Sequence, residues 1–174
     1  YIFGFRSVMT NKVIEKPEDL KGMKIRTPGS QLYVDTLNHM GAAATPMAFS
    51  ETISAVQQGV VDGLEGTIDA YASNGSAEVA KNMALTKHLL GVCGAYINVD
   101  VWNSIPEEYR TIMQEEFTAG AEEMVKAISE GEAATRERLE TEMGISFNEV
   151  DQEAFAEAVA PIYENMKNVT PGLY

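Results

Sequence analysis

Only one cysteine, Cys93, occurs in 174 residues, which excludes an internal disulfide and a thiolate metal centre. A lone thiol does not fix the compartment, because exported and cytosolic proteins both include cysteine-poor chains. There are two histidines, His39 and His88, and neither has an acid partner at motif spacing. A nucleophile elbow, a P-loop and a GxGxxG turn are all missing, so the enzyme classes with local signatures fail together. The chain is read as a non-enzyme that needs no cofactor and no metal. Basic residues are scarce, 13 Lys+Arg against 26 Asp+Glu, for a net charge of −13. That field repels phosphate backbones and argues against nucleic acid as a partner. No apolar run approaches the roughly 18–20 residues that cross a bilayer, so direct membrane insertion is not expected.

What is present is core material. Apolar residues make up 45% of the chain and charged ones 22%, a balance that excludes disorder. The length suits one domain, or one large domain with a lobe borrowed from elsewhere. Tyr1-Ile2-Phe3-Gly4-Phe5 has neither an initiator Met nor a basic-then-apolar leader, so Tyr1 is not expected to be the natural start.

Strand and helix signals alternate along the first half. Residues 7–14 read as extended, and Pro17-Glu18-Asp19-Leu20-Lys21-Gly22 gives one helical turn with Pro at its head and Gly past its end. Met23-Lys24-Ile25-Arg26 alternates with period two, and Thr27-Pro28-Gly29 ends that strand. Ser30 is expected to cap a helix carrying Tyr33, Val34, Leu37 and Met40, closed by Gly41. The unit then repeats, with Ala44-Thr45-Pro46-Met47 extended, Ser50 as the next cap, and Ile53, Val56 and Val60 on one face. Such alternation predicts an α/β domain with a largely parallel sheet.

Residues 72–90 read as helical pieces and turns, and residues 95–102 as a strand. Ser104-Ile105-Pro106-Glu107 fits a capping box. Tyr109, Ile112, Met113, Phe117, Ala121, Met124, Ile128 and Leu139 follow at helical spacing to Gly144. At about 1.5 Å per residue this helix exceeds roughly 50 Å, wider than a small domain. Gly120 and Gly131 are its candidate bends. A sustained a/d heptad is missing, so a helix bridging two lobes fits better than a coiled coil. A short strand at 145–150, a helix capped by Asp151 and a tail at 169–174 complete the chain.

Arg26 is the first residue to single out for chemistry. It stands at the carboxyl end of a predicted strand, just before a helix, where α/β folds collect ligands and where a helix N-terminus favours anions. Its guanidinium would offer a carboxylate a bidentate fork. The competing reading, a surface Arg paired with one of the 26 acidic residues, is equally compatible with the pattern. Nothing local marks Arg6. Glu65, bracketed by Gly63 and Gly66, reads as a turn residue before a ligand acceptor. Phe49 reads as a staple for the next helix before a pocket wall. The nine methionines read as core filler.

Asp19-Leu20-Lys21-Gly22-Met23-Lys24-Ile25-Arg26-Thr27-Pro28 resembles the substrate-binding proteins of tripartite ATP-independent periplasmic (TRAP) transporters, of the C4-dicarboxylate-binding type. The match continues through Met40-Gly41-Ala42, Pro46-Met47-Ala48-Phe49-Ser50-Glu51, Gln58-Gly59-Val60-Val61-Asp62-Gly63-Leu64-Glu65, Thr86-Lys87-His88 and Trp102-Asn103-Ser104-Ile105-Pro106-Glu107. It covers nearly the whole chain in the expected order. The resemblance implies a type II periplasmic-binding-protein-like α/β fold, with residues 4–91 and 132–174 forming the second lobe. Residues 92–131, most of the bridging helix included, would belong to a first lobe that is largely missing here. It further implies a protein exported to the periplasm behind a signal peptide, capturing an organic acid and delivering it to TRAP permease subunits. By resemblance Arg26 pairs with the solute carboxylate, Arg6 assists it, and Phe49 packs on the ligand. The family commonly has Asn after the Glu of Asp-Gly-x-Glu. Gly66 and then Thr67 stand there in this chain, which leaves room for a bulkier solute. A ligand-sensing receptor module of the same fold is the alternative function.

Overall fold

The computed structural model describes residues 1–166, and the tail expected at 169–174 lies outside them. The strand chemistry of Lys24–Thr27 (β2) is realised in a six-stranded sheet. Its other strands are Ile2–Thr10 (β1), Ala43–Pro46 (β3), Gly63–Gly66 (β4), Asn82–Val92 (β5) and Ser146–Asn148 (β6). The helices are Gln31–His39 (α1), Thr52–Gln57 (α2), Ile68–Ser73 (α3), Ser76–Val79 (α4), Val99–Ser104 (α5), Glu107–Met143 (α6) and Gln152–Met166 (α7). Pro17–Leu20 and Phe49–Glu51 are single 3-10 turns.

Strand order is β3-β2-β4-β1-β5-β6. The expected α/β class holds, but the sheet is mixed where a largely parallel one was expected. β3, β2 and β4 run parallel, as do β5 and β6, while β1 pairs antiparallel with both β4 and β5. The period-two and period-3.6 signals reveal elements but not direction. The direction of β1 is set by a partner some eighty residues away, with Ile2 opposite Val92 and Thr10 opposite Asn82.

Successive residues of β1 feed opposite faces of the sheet. Val8 joins Ile25, Leu37, Ala84, Phe155 and Ile162 in a core under α1 and α7. Met9 joins Leu64, Tyr71, Met83, Leu85 and Leu139 in a second core under α3, α4 and the carboxyl end of α6. Each fully buried Leu, Ile or Met contributes roughly 1.5–3 kcal/mol. Tyr71, also fully buried, donates its hydroxyl to the Ala80 carbonyl, and burial raises its pKa.

Four local expectations are corrected. Residues 82–92 form β5, not helical pieces. Met83, Ala84 and Leu85 are all buried, so the strand shows no alternation, and a bulge at Lys87 (φ +45°) breaks its register with β1. Residues 99–104 form α5, not a strand. The Asn98 side chain accepts from the Asp100 and Val101 amides, and this cap overrides the β-branched composition. The Ser104-to-Glu107 capping box does not form, because Ser104 ends α5 and bonds the Val101 carbonyl while α6 starts after Pro106. α6 runs unbroken through Gly120 and Gly131 for 37 residues, about 55 Å. Ser30 does occupy the N-cap position of α1, though without a side-chain cap bond, and Asp151 bonds the Ala154 amide at the head of α7.

Candidate functional site

Three elements end around one cavity of about 410 Å³, walled in part by Arg26, Arg6, Phe49, Glu65, Gly66 and Asn74. Arg26 comes from the carboxyl end of β2, where parallel pairing with β3 and β4 directs it to the crevice. It is only 5% exposed. Its Nε and Nη2 donate to the Met47 carbonyl at 3.3 and 3.0 Å. Its guanidinium carbon lies 5.4 Å from the Phe49 ring centroid. Among the described residues no carboxylate stands within ion-pair distance of it. Two of its five N–H groups are used, and the end-on Nη1/Nη2 pair stays free for an oxyanion. Burial lowers its pKa and so does neighbouring Arg6, with Glu65 opposing them.

Arg6 is placed differently. From β1 it makes a side-on fork to Glu65 on β4, Nε to Oε2 at 2.6 Å and Nη2 to Oε1 at 2.7 Å. Nη2 also reaches the Glu65 carbonyl at 3.4 Å. Its guanidinium carbon sits 5.0 Å from the Tyr33 ring centroid. Burial lowers the Arg6 pKa, but the hydrogen bonds and charge of Glu65 outweigh it and raise it overall. Glu65 itself has no exposed side-chain surface. Burial raises its pKa, and His88 and Arg6 together hold it below the usual carboxylate value. His88 Nε2 lies 3.5 Å from Glu65 Oε2 and finds no hydrogen-bond partner among the described residues. Its Nδ1 is 2.8 Å from the Thr86 hydroxyl. The Lys87 bulge turns His88 inward.

Phe49 is half exposed and forms the rim beside Arg26. Gly66 forms wall. Thr67 is buried and turned away from that wall, its hydroxyl accepting from the Ala70 amide as the cap of α3. Sequence reasoning missed Glu65 as a buried ion, His88 behind it and Asn74 beside it. An acid set among Gly63, Leu64 and Gly66 was the available signal for the first, since a charge in a small, apolar strand must find a partner. His88 and Asn74 gave none.

The two glycines of β4 make a contrast. A Cβ at Gly63 would stand 2.2 Å from the Met9 carbonyl oxygen, whereas one at Gly66 would meet only the Met9 methyl at 3.5 Å. Gly63→Ala is therefore expected to destabilise by about 3 kcal/mol, and Gly66→Ala by less than about 0.5 kcal/mol. Denaturant midpoints of the two variants check this.

A larger concavity, about 670 Å³, lies between α6 and the segment before α5, walled by Ala95, Tyr96, Ile97, Trp102, Met113 and Phe117 among others. None of its wall residues is charged. Among the described residues, none of those from 92 to 138 is buried. No group of three or more His, Cys, Asp or Glu that could hold a metal occurs among the described residues, and no helix there is long and apolar enough to cross a membrane.

A family model described as bacterial extracellular solute-binding protein, family 7, matches residues 2–169. A solute-binding protein of Chromohalobacter salexigens is 33% identical over 98% of this chain and 51% of its own length. A TRAP periplasmic solute-binding protein of Desulfovibrio salexigens, solved in complex with diglycerolphosphate, superposes with a TM-score of 0.96 at 52% identity, covering all of this chain and 56% of that one. A TRAP periplasmic solute-binding protein of Fusobacterium nucleatum, with bound sn-glycerol-3-phosphate, gives a TM-score of 0.95 at 43% identity over 99% of this chain and 56% of that one. The chain spans about half the length of the relatives it matches.

Proposed function

We propose, for a chain that belongs to the bacterial extracellular solute-binding protein family 7 of TRAP transporters, that it builds the anion-reading half of a periplasmic ligand cleft. Arg26 takes the solute oxyanion, Arg6 adds donors from its fork with Glu65, and Phe49 closes over the solute. The whole protein hands the solute to the membrane permease subunits. The observation that carries this is the buried, acid-free guanidinium of Arg26 facing a cavity of about 410 Å³. Family membership puts the chain among transport proteins rather than enzymes.

The geometry suits a carboxylate or a phosphate oxyanion alike. The similarity at 52% and 43% to proteins solved with glycerol phosphoesters favours phosphate, and the bare wall at Gly66 leaves room for its bulk. Thermal-shift screening of the full-length protein checks this. Diglycerolphosphate and sn-glycerol-3-phosphate are expected to raise the melting temperature, by about 2.7 kcal/mol of stability at a hundredfold the dissociation constant. Stabilisation by sugar acids with no response to either ester would replace the phosphoester by a carboxylate.

Residues 92–131 are proposed to dock on the other lobe, leaving 4–91 and 132–174 as the second lobe, of which the structure describes residues up to 166. Support comes from their exposed apolar side chains, Tyr96, Val99, Tyr109, Ile112 and Phe117 among them. In the full-length protein Phe117→Ala is then expected to destabilise by about 3 kcal/mol, as for a core residue. A loss below about 0.5 kcal/mol, normal for a surface site, would return this segment to solvent.

A further inference from the structure

We infer that the solute enters this cleft singly charged, as a phosphodiester or another monoanion flanked by hydroxyls, in preference to a dianionic phosphomonoester; this rests on the phosphoester reading proposed above. The charge count on the cavity wall carries it. Arg26 and Arg6 are positive and Glu65 is negative, so the described wall holds one net positive charge. The fork at 2.6 and 2.7 Å neutralises Arg6 from within the protein. Among the described residues of this wall only Arg26, whose protein partner is a neutral carbonyl, has charge to offer. Among the described residues of the wall a second negative charge would find no counter-charge, which is strongly unfavourable in a desolvated cleft.

The rest of the polar wall is neutral and preset for hydroxyl groups. Asn74 Oδ1 accepts from the Ser76 amide at 2.9 Å and from the Ser76 hydroxyl at 2.5 Å. That pins the carboxamide with its oxygen occupied, and among the described residues its Nδ2 has no partner. Ser73 stands on the same wall, its hydroxyl bonded to the Asp69 and Ala70 carbonyls. A pinned N–H₂ donor reads a hydroxyl or ester oxygen without adding charge.

Other ionisable groups face this region. His88 on β5 stands behind Glu65, and Tyr33 on α1 and Cys93 just past β5 lie near Arg6. Asp69 on α3 is turned to Thr135 on α6, and Glu132 on α6 approaches Gly4 on β1. The diester keeps one charge over the pH range used below, so it serves as the control that reports what these groups do to a monoanion.

Calorimetric titration of the full-length protein with sn-glycerol-3-phosphate and diglycerolphosphate, at pH 5.5 and 7.5, tests the inference. A phosphomonoester loses its second proton near pH 6, so its monoanion fraction falls about 25-fold between those pH values. The diester has no such proton. The dissociation constant of the monoester relative to the diester is expected to rise about twentyfold from pH 5.5 to 7.5. A ratio that stays within twofold, or a monoester that gains at pH 7.5, overturns the inference and leaves the phosphoester reading standing. Failure of both esters to bind at either pH removes that reading and the inference with it.

Discussion

Arg26→Ala in the full-length protein is expected to weaken solute binding about a hundredfold while leaving the unliganded fold as stable as before, or more so. The two halves of this expectation have one cause. Arg26 is 5% exposed, its guanidinium has no carboxylate within ion-pair distance among the described residues, and burial lowers its pKa. In the empty cleft its charge therefore disfavours the folded state, and removing it relieves that. When an oxyanion arrives, the free end of the fork makes charge-assisted hydrogen bonds in a water-poor space. Truncating one partner of such a pair costs about 2–5 kcal/mol, and about 2.7 kcal/mol corresponds to a hundredfold. Arg26→Lys should recover little, because one ammonium cannot hold the Met47 carbonyl and an oxyanion in fork geometry together. Titration calorimetry reads the affinity and thermal melting of the unliganded protein reads the stability. An affinity loss below twofold for Arg26→Ala would remove Arg26 from the site.

The same comparison explains what the sequence made visible. Arg26 was legible because everything that places it is local: the alternation of Lys24-Ile25-Arg26-Thr27, the Pro28 that ends the strand and the helix that follows. α6 was legible for the same reason, being a periodic run with a Pro at its head and Gly144 past its end. Arg6 carried no local mark, because its partner Glu65 lies 59 residues further on and only sheet pairing brings β1 beside β4. Glu65 was hidden likewise, since its ion pair with Arg6 joins two strands and leaves no spacing in the chain, and His88 behind it carried no mark either. β5 was masked by being buried on both faces, which erases the period-two signal. The 95–102 segment differs from its strand-like composition because one cap, Asn98, starts the helix α5 there. Phe49 shows a third case. Its place at the rim follows a 3-10 turn, Phe49–Glu51, that no residue pattern announced.

Glu65→Ala is expected to destabilise by about 3 kcal/mol, with a much smaller effect when Arg6 is removed as well. Glu65 is fully buried and Arg6 is 19% exposed at its side chain. Losing the carboxylate leaves the guanidinium unpaired and facing Arg26, and breaking a buried pair costs about 3–5 kcal/mol. The residual exposure of Arg6 puts the expected value at the low end. Replacing both partners by apolar residues, Arg6→Met with Glu65→Leu, removes the desolvation penalty together with the attraction, so the double variant should fall within about 1 kcal/mol of the parent. A double-mutant cycle in urea would then return a coupling of at least about 2 kcal/mol; effects that simply add would mean the fork contributes nothing. The pair also sets a pH dependence of known sign. Glu65 titrates in the folded protein below its ordinary value of 4.5, so the unfolded chain binds its proton first as pH falls. Its contribution is complete above about 4.5 and is lost as pH drops through the lower folded value. The parent should accordingly lose stability more steeply than the double variant below pH 4.5, while the two run parallel from pH 5 to 6.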